Sequence, residues 1–480
     1  MGAFYREGEV KTRPGVYKRY DKMGSNPVAS AIDGVGAIVV QADWGPVGTV
    51  TQHNYTEGEA GIKNVYGTGG NISTALQMFS GGLTKLYIVR VNGSDGAQGK
   101  VTLNSGETEA VELTLKYPGT RAFAARIKVS AQAADDSVKE LSVLEIVNGK
   151  DPVVRETIKF AAKENEVAAL VSAVNEQSNY INAKAQGDAS GVLDIVEKAL
   201  FAGGANPTPA VDNYSEAFAL LDAYPYQTIC LDTTDKDTQD TLKEHIAAVK
   251  AAGKMKLAVL GSAENTSLED RMKAAKSYNS AQIVYFGGSY KDSNGNVVVG
   301  APAIAKVAGI IASTPANRSI VHKVVTGAAS ATEAFSDAQY TEAIQNGLLL
   351  LSTSADGTIW FDSGVNTLVT PAEDEDDGWK KIRRTKTRIE LMDRLDRQLE
   401  KLVGNVDCDT DGIANCIQQA QLVIDSMVNE KKLISGTFAV DDTLGYDADY
   451  ANFKITVIDK DSLEKIYLHY QFQYSTKTEA

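Results

Sequence analysis

From residue 227 to residue 313 the sequence alternates short apolar runs with longer amphipathic stretches, and that alternation leaves little choice of architecture. Gln227 to Asp232, Lys256 to Gly261 and Gln282 to Gly287 read as strands. Lys236 to Ala252, closed by Gly253, Ser267 to Tyr278 and Pro302 to Ser313 read as helices, the last with its proline in the first turn. Strands that alternate with helices imply a parallel sheet covered by helices. Earlier in the chain, Gly34 to Gln41 and Leu86 to Val91 have the same buried-strand texture, with a helix expected over Ser73 to Phe79. Asp292-Ser293-Asn294-Gly295 is a hairpin-type turn.

Three other textures flank this core. From Met1 to about Val28 there is neither helical period nor sustained alternation. The segment is either a free tail or an arm that orders on another subunit. From about Gly93 to Asn206, β-type runs at Val101–Leu103, Ala110–Leu115, Ala125–Ser130 and Leu141–Val147 are broken by Gly, Asp and Asn, followed by helix-like stretches at Thr157–Lys163 and Val167–Ser172. Beyond Thr358 a strand at Thr358–Asp362 precedes two expected helices, Asp377–Val403 and Ile413–Lys431. The chain then ends in an expected hairpin, Asn452–Ile458 with Lys465–Tyr474, whose last strand is apolar on both faces. The expected fold class is therefore multidomain, α/β and α+β: an N-terminal arm (1–27), an α/β core (28–92 plus 207–357), a β-rich peripheral insertion (93–206), a C-terminal α+β domain (358–464) and a C-terminal strand or arm (465–480).

Composition narrows the function. A formal net charge of −14 argues against general binding to a phosphate backbone. Three cysteines make no disulfide framework and point to synthesis in a reducing cytoplasm. No signal-peptide pattern is expected at the start, and no run is long enough to span a bilayer; Leu348 to Leu351 is a buried core block. No catalytic residue and no cofactor are expected. The four histidines, His53, His245, His322 and His469, stand apart from other metal ligands. GSDGAQGK at Gly93–Lys100 is one residue too long for a phosphate-binding loop and is followed by Val101 where Ser or Thr is needed. The nearest polar candidate at the end of a core strand is Asp232-Thr233-Thr234, and a helix-capping turn explains it equally. A nucleotide-dependent α/β enzyme with a β-rich insertion is the alternative class.

Two charged features remain. Asp407, Asp409 and Asp411 fall at positions 1, 3 and 5 of a calcium loop, with Gly412 supplying the turn. Position 12 is Gln418, so the bidentate carboxylate is missing, and the bland reading is an acidic loop whose Asp411 caps the next helix. The acidic run Glu373, Asp374, Glu375, Asp376 and Asp377 precedes the basic Lys380, Lys381, Arg383, Arg384, Lys386 and Arg388. Either these are solvated faces, or the acids of one subunit meet the bases of another and set register.

Several of these segments together resemble the sheath proteins of contractile phage tails, of the type found in Gram-positive phages, defective prophages and phage-tail-like bacteriocins. They are Pro14-Gly15-Val16-Tyr17, GVGAIVVQADWGP (Gly34–Pro46), GVNTLVT (Gly364–Thr370), GWKKIRRTKTRIELMDRL (Gly378–Leu395) and EKIYLHYQF (Glu464–Phe472). The resemblance is weak across 93–206, and the Asp407 loop departs from the pattern. It implies a subunit without cofactor that polymerises with itself around a tail tube protein and meets baseplate and tail terminator proteins, with no direct contact to nucleic acid and no membrane insertion. Assembly in the host cytoplasm and incorporation into a virion tail or released particle would follow. Terminal arms would exchange strands between neighbours. Pro14, Gly15, Val16 and Tyr17 are the arm residues expected at one end, with Ile466, Leu468, Tyr470 and Phe472 at the other. Glu373, Asp374, Glu375, Lys380, Lys381, Arg383, Arg384 and Arg388 are the expected intersubunit charge contacts.

Overall fold

A computed structural model describes residues 3–4, 17–18, 29–131, 138–147, 150–162 and 165–474. Its centre is a seven-stranded sheet. The strand order is Leu348–Leu349, Ile283–Phe286, Leu257–Gly261, Thr228–Leu231, Val35–Val40, Lys85–Arg90, Val50–Asn54. Every neighbouring pair is parallel except the last, where Val50–Asn54 runs antiparallel at the edge. Val35–Val40 shows how sequence produces this. All of its residues but Val35 are buried, as a strand covered on both faces requires. Ile38 and Val40 face one cluster with the helices Ile72–Ser80 and Ala301–Ser313. Ala37 and Val39 face the other, with Val211–Leu221, Lys236–Ala251 and Leu268–Tyr278.

The helices Ile72–Ser80 and Ala301–Ser313 touch backbone to backbone. A Cβ on Gly309 would stand 2.0 Å from the Met78 carbonyl oxygen, and one on Gly81 would stand 2.6 Å from the Gly309 carbonyl carbon. Two side chains bolt the crossing: Ser313 Oγ donates to Gly81 O at 2.8 Å, and Lys306 Nζ donates to Ser80 O at 2.8 Å.

Between residues 93 and 206 the chain builds two further sheets. One orders Val153–Ala161, Val138–Glu145, Phe123–Val129 and Val196–Leu200; the other orders Ile181–Ala185, Thr108–Leu115 and Lys100–Ser105. The helix Glu166–Gln177 packs into their shared core. The entering and leaving strands lie side by side, with bridges Ser94↔Thr208 and Ala97↔Ala205. Trp44, from the turn after the first core strand, inserts into this core against Tyr117, Phe123 and Tyr180. The helix expected over Thr157–Lys163 is a strand instead, Val153–Ala161. Ile158 and Phe160, two residues apart, share its buried face, a spacing of period two. The sequence reading also passed over the edge strand Val50–Asn54 and the helices Gly58–Tyr66, Val211–Leu221 and Asp337–Gln345.

The C-terminal part packs Ile382–Leu399 against Thr410–Asn429, with a hairpin of Leu433–Val440 and Phe453–Asp459 laid on the second helix. This corrects the expected terminal hairpin. Phe453–Asp459 pairs with Leu433–Val440, and residues 460–474 form no strand. A segment apolar on both faces needs a covering sheet, and nothing among the described residues of this chain supplies one.

Candidate assembly interface

The helix Ile382–Leu399 opens on a run of cations. Its first turn carries no acid, and Lys381, Arg383, Arg384, Lys386 and Arg388 all lie at its N-terminal end. Each of these cations finds its partner inside the chain. Arg384 Nη2 meets Asp459 Oδ1 at 2.6 Å, and Arg388 Nε meets Asp459 Oδ2 at 2.9 Å. Lys381 Nζ bridges Asp461 at 2.7 Å and Glu464 at 3.0 Å, while Arg383 Nη1 donates to Ser462 Oγ at 2.6 Å. Burial by itself would raise the Asp459 carboxyl, but the hydrogen bonds from Arg384 and Arg388 outweigh it and hold the pKa below the usual carboxylate range. Arg388 also pairs with Asp376 and lies over the Trp379 ring, 4.7 Å from its centroid.

Deeper along the helix, Glu390, Arg394, Glu430 and Lys432 form a buried network. Its two carboxylates differ because their burial differs. Glu390 is the more enclosed, and burial pushes its pKa up despite Lys432 and Arg394. Glu430 keeps some solvent; against the cost of burial, bonds from Arg394, Lys432 and Ser426 bring it down to about 2. Lys386 points the other way, into the core. Its ammonium donates to Ile311 O at 2.6 Å and to Thr314 O, carbonyls at the end of the Ala301–Ser313 helix. Burial lowers its pKa to about 8.

Past Glu464 the chain leaves these anchors. Ile466, Tyr467, Leu468, Tyr470, Phe472 and Tyr474 are between 68% and 93% exposed, a row of large apolar side chains in water. The four arm residues expected at this end belong to that row. At the other end, Pro14, Gly15 and Val16 lie outside the described residues. Tyr17 begins a two-residue strand, Tyr17–Lys18, parallel to Ala3–Phe4. Of the expected charge contacts, Glu373 and Asp374 are exposed, Glu375 reaches Lys250 at 3.4 Å, and Lys380 pairs with Asp377 at 2.9 Å. The sequence reading missed the partners Asp459, Asp461 and Glu464. They were legible as acids spaced along the chain, but nothing in their spacing says they fold back on a helix more than 70 residues earlier.

The acidic loop resolves as a cap. Asp409, not Asp411, accepts from Gly412 N at 2.8 Å and starts the helix Thr410–Asn429. Gly412 is needed because a Cβ there would stand 1.9 Å from the Asp407 carbonyl oxygen. Among the described residues, no group of three or more His, Cys, Asp or Glu side chains is gathered to hold a metal ion. None of the described helices is long and apolar enough to cross a membrane.

The core sheet has a topological switch point between Val35–Val40 and Thr228–Leu231, where α/β folds commonly hold ligands. Here the chain's own groups converge on it. The Asp232 carboxylate accepts from Gln41 N at 2.6 Å, Asn71 Nδ2 at 3.0 Å and the Tyr214 hydroxyl at 3.2 Å. Burial raises its pKa, partly opposed by those donors.

A doubly covered sheet with an inserted β module and a C-terminal helical platform is the fold of sheath tail proteins. The sheath tail protein of Desulfitobacterium hafniense superposes with a TM-score of 0.69 at 15% identity, covering 93% of this chain and all of that one. The Listeria innocua sheath tail protein gives 0.66 at 15% identity, over 90% and 96%. The helical sheath of the anti-feeding prophage, solved in its contracted state, gives 0.55 at 11%, over 96% and 99%. No curated protein sequence matches the chain. Residues 208–367 match the family model described as the phage tail sheath protein central domain. The match over residues 208–367 is thus to the sheath central domain, and along its length the chain shares the fold of these sheath tail proteins.

Proposed function

We propose that the chain is the repeating subunit of a contractile sheath. Copies assemble in the host cytoplasm around an inner tube protein, between a baseplate and a terminator. On triggering, the sheath shortens and drives the tube through a bacterial envelope. The work comes from subunit contacts, so no cofactor or hydrolysis is required. The observation that carries the reading is the exposed apolar row from Ile466 to Tyr474, which nothing among the described residues covers. Added as a strand to a neighbour's sheet, such a segment gains main-chain bonds of about 0.5–1.5 kcal/mol each, plus burial of about 1.5–3 kcal/mol per large apolar side chain. Pro14 to Tyr17 would serve the same way at the other end, and Glu373 and Asp374 are free to meet basic residues of a neighbour. The crowding of the switch point by Asp232, Asn71 and Tyr214 speaks against a nucleotide there.

We place residues 93–206 on the outer surface, where variable mass leaves tube and mesh untouched. Replacing them with a Gly-Ser linker would expose Trp44, so that variant should also carry Trp44→Ser. The main test is negative-stain microscopy of the purified chain with and without residues 465–480. The full chain should form tubes or stacked rings with no added cofactor. The truncated chain should keep its circular dichroism and form none. Tubes from the truncated chain would sink the arm model. A monodisperse monomer at every concentration, stabilised by nucleotide, would favour an enzyme.

A further inference from the structure

The helix Ile382–Leu399 breaks a rule of helix electrostatics. Cations crowd its N-terminal end, where the macrodipole favours anions. What offsets this is the stretch 459–464. Asp459 binds Arg384 and Arg388, Asp461 and Glu464 bind Lys381, and Ser462 accepts from Arg383. That stretch begins on the final residue of the last strand and directly precedes the exposed apolar row. Its backbone is held at its start, where Asp459 pairs with Leu433 in the ladder and Lys460 N donates to Lys432 O at 3.0 Å; beyond that the side-chain contacts to the helix carry it.

The other end of the same helix holds Ala29 and Ser30. Arg397 Nη2 donates to Ser30 O at 2.7 Å, and Gln398 Oε1 accepts from Ala29 N at 3.4 Å. These are the residues where the N-terminal segment joins the body. Between the two roots the helix is bolted to the core by Lys386 and by Thr387, whose hydroxyl donates to Ala316 O at 3.1 Å. A helix of 18 residues spans about 27 Å. One rigid rod therefore carries the roots of both terminal arms.

We propose that Lys381, Arg384 and Arg388 are positioning residues for the C-terminal arm: they form an ionic clasp that fixes where and in which direction residues 465–474 leave the body. The helix behind the clasp then links one arm to the other, with the core as its anchor. That consequence rests on the sheath reading, whereas the clasp does not. The clasp is graded. Asp459 is nearly enclosed, while Lys381, Asp461 and Glu464 are partly in water, so salt should loosen the outer pairs first.

The test uses the full chain as a monomer, with Cys408→Ser and Cys416→Ser, and nitroxides at Ile466→Cys and Val403→Cys. The clasp predicts a narrow distance distribution between them at low salt. Lys381→Glu should abolish it. A carboxylate at this helix-capping position suits the dipole, so circular dichroism should be unchanged and the loss cannot be unfolding. The triple variant Lys381→Glu/Asp461→Lys/Glu464→Lys, which reverses the pairs, should restore the narrow distribution. A broad distribution in the parent, no change with Lys381→Glu, or no rescue by the reversal would each overturn the clasp. A chain that keeps the narrow distribution yet never polymerises would instead count against the sheath reading alone.

Discussion

Lys386 allows a prediction whose size follows from its surroundings. Its ammonium is buried between the Ile382–Leu399 helix and the end of the Ala301–Ser313 helix. Its pKa falls to about 8 when folded, against about 10.4 in an unfolded chain. The folded state therefore disfavours the charge, at a cost of about 3 kcal/mol near neutral pH. Because the folded pKa is the lower one, that cost is present below pH 8 and is relieved as pH climbs towards 10. Set against it are two hydrogen bonds from a charged donor to helix-end carbonyls, each contributing about 1.5–3 kcal/mol. Lys386→Met keeps the stem and removes both the cost and the bonds. At pH 7 it should destabilise by about 0–3 kcal/mol, and by pH 10 the gap to wild type should widen by up to ~3 kcal/mol. Urea unfolding followed by tryptophan emission at several pH values reads this directly. Other lysines lowered by burial, Lys256 and Lys306, are common to both chains and cancel in the difference. A gap that stays flat from pH 7 to pH 10 would refute the reasoning.

Other substitutions test other parts of the fold. Gly309→Ala drives a Cβ into the Met78 carbonyl and should cost about 1–3 kcal/mol by forcing two core helices apart, read as a lower urea midpoint. Asp409→Ala removes a helix cap and should cost about 1 kcal/mol, while calcium should leave the melting temperature of the parent unchanged; a calcium-dependent rise lost in the variant would revive the metal reading. Asp232→Asn sets an amide donor among three other donors and should destabilise by about 1–3 kcal/mol in thermal unfolding, without any effect on arm-dependent assembly.

The core was readable because its signals are local. A short apolar run rich in β-branched residues and flanked by glycine, such as Val35–Val40, reads as a doubly covered strand, and the amphipathic period of Lys236–Ala251 presents one face to it. Where two periods compete over a few residues, as at Val153–Ala161, the sheet decided, because Phe160 and Ile158 are buried only if they share a pleat. The glycines at 81 and 309 look alike in sequence, and only the crossing of two helices shows that neither tolerates a Cβ.

The candidate interface divides along the same line. The sequence by itself determined that the end of the chain is apolar on both faces, that cations crowd residues 380–388, and that no familiar catalytic motif is present. Only the tertiary structure decided that Lys381, Arg384 and Arg388 among them meet Asp459, Asp461 and Glu464 of the same chain, and that Asp409 is a cap. The reason is range. Periodicity and capping act within one or two turns of chain. An ion pair needs only opposite charges within about 4 Å, and which charges arrive there is set by the packing of helices far apart in sequence.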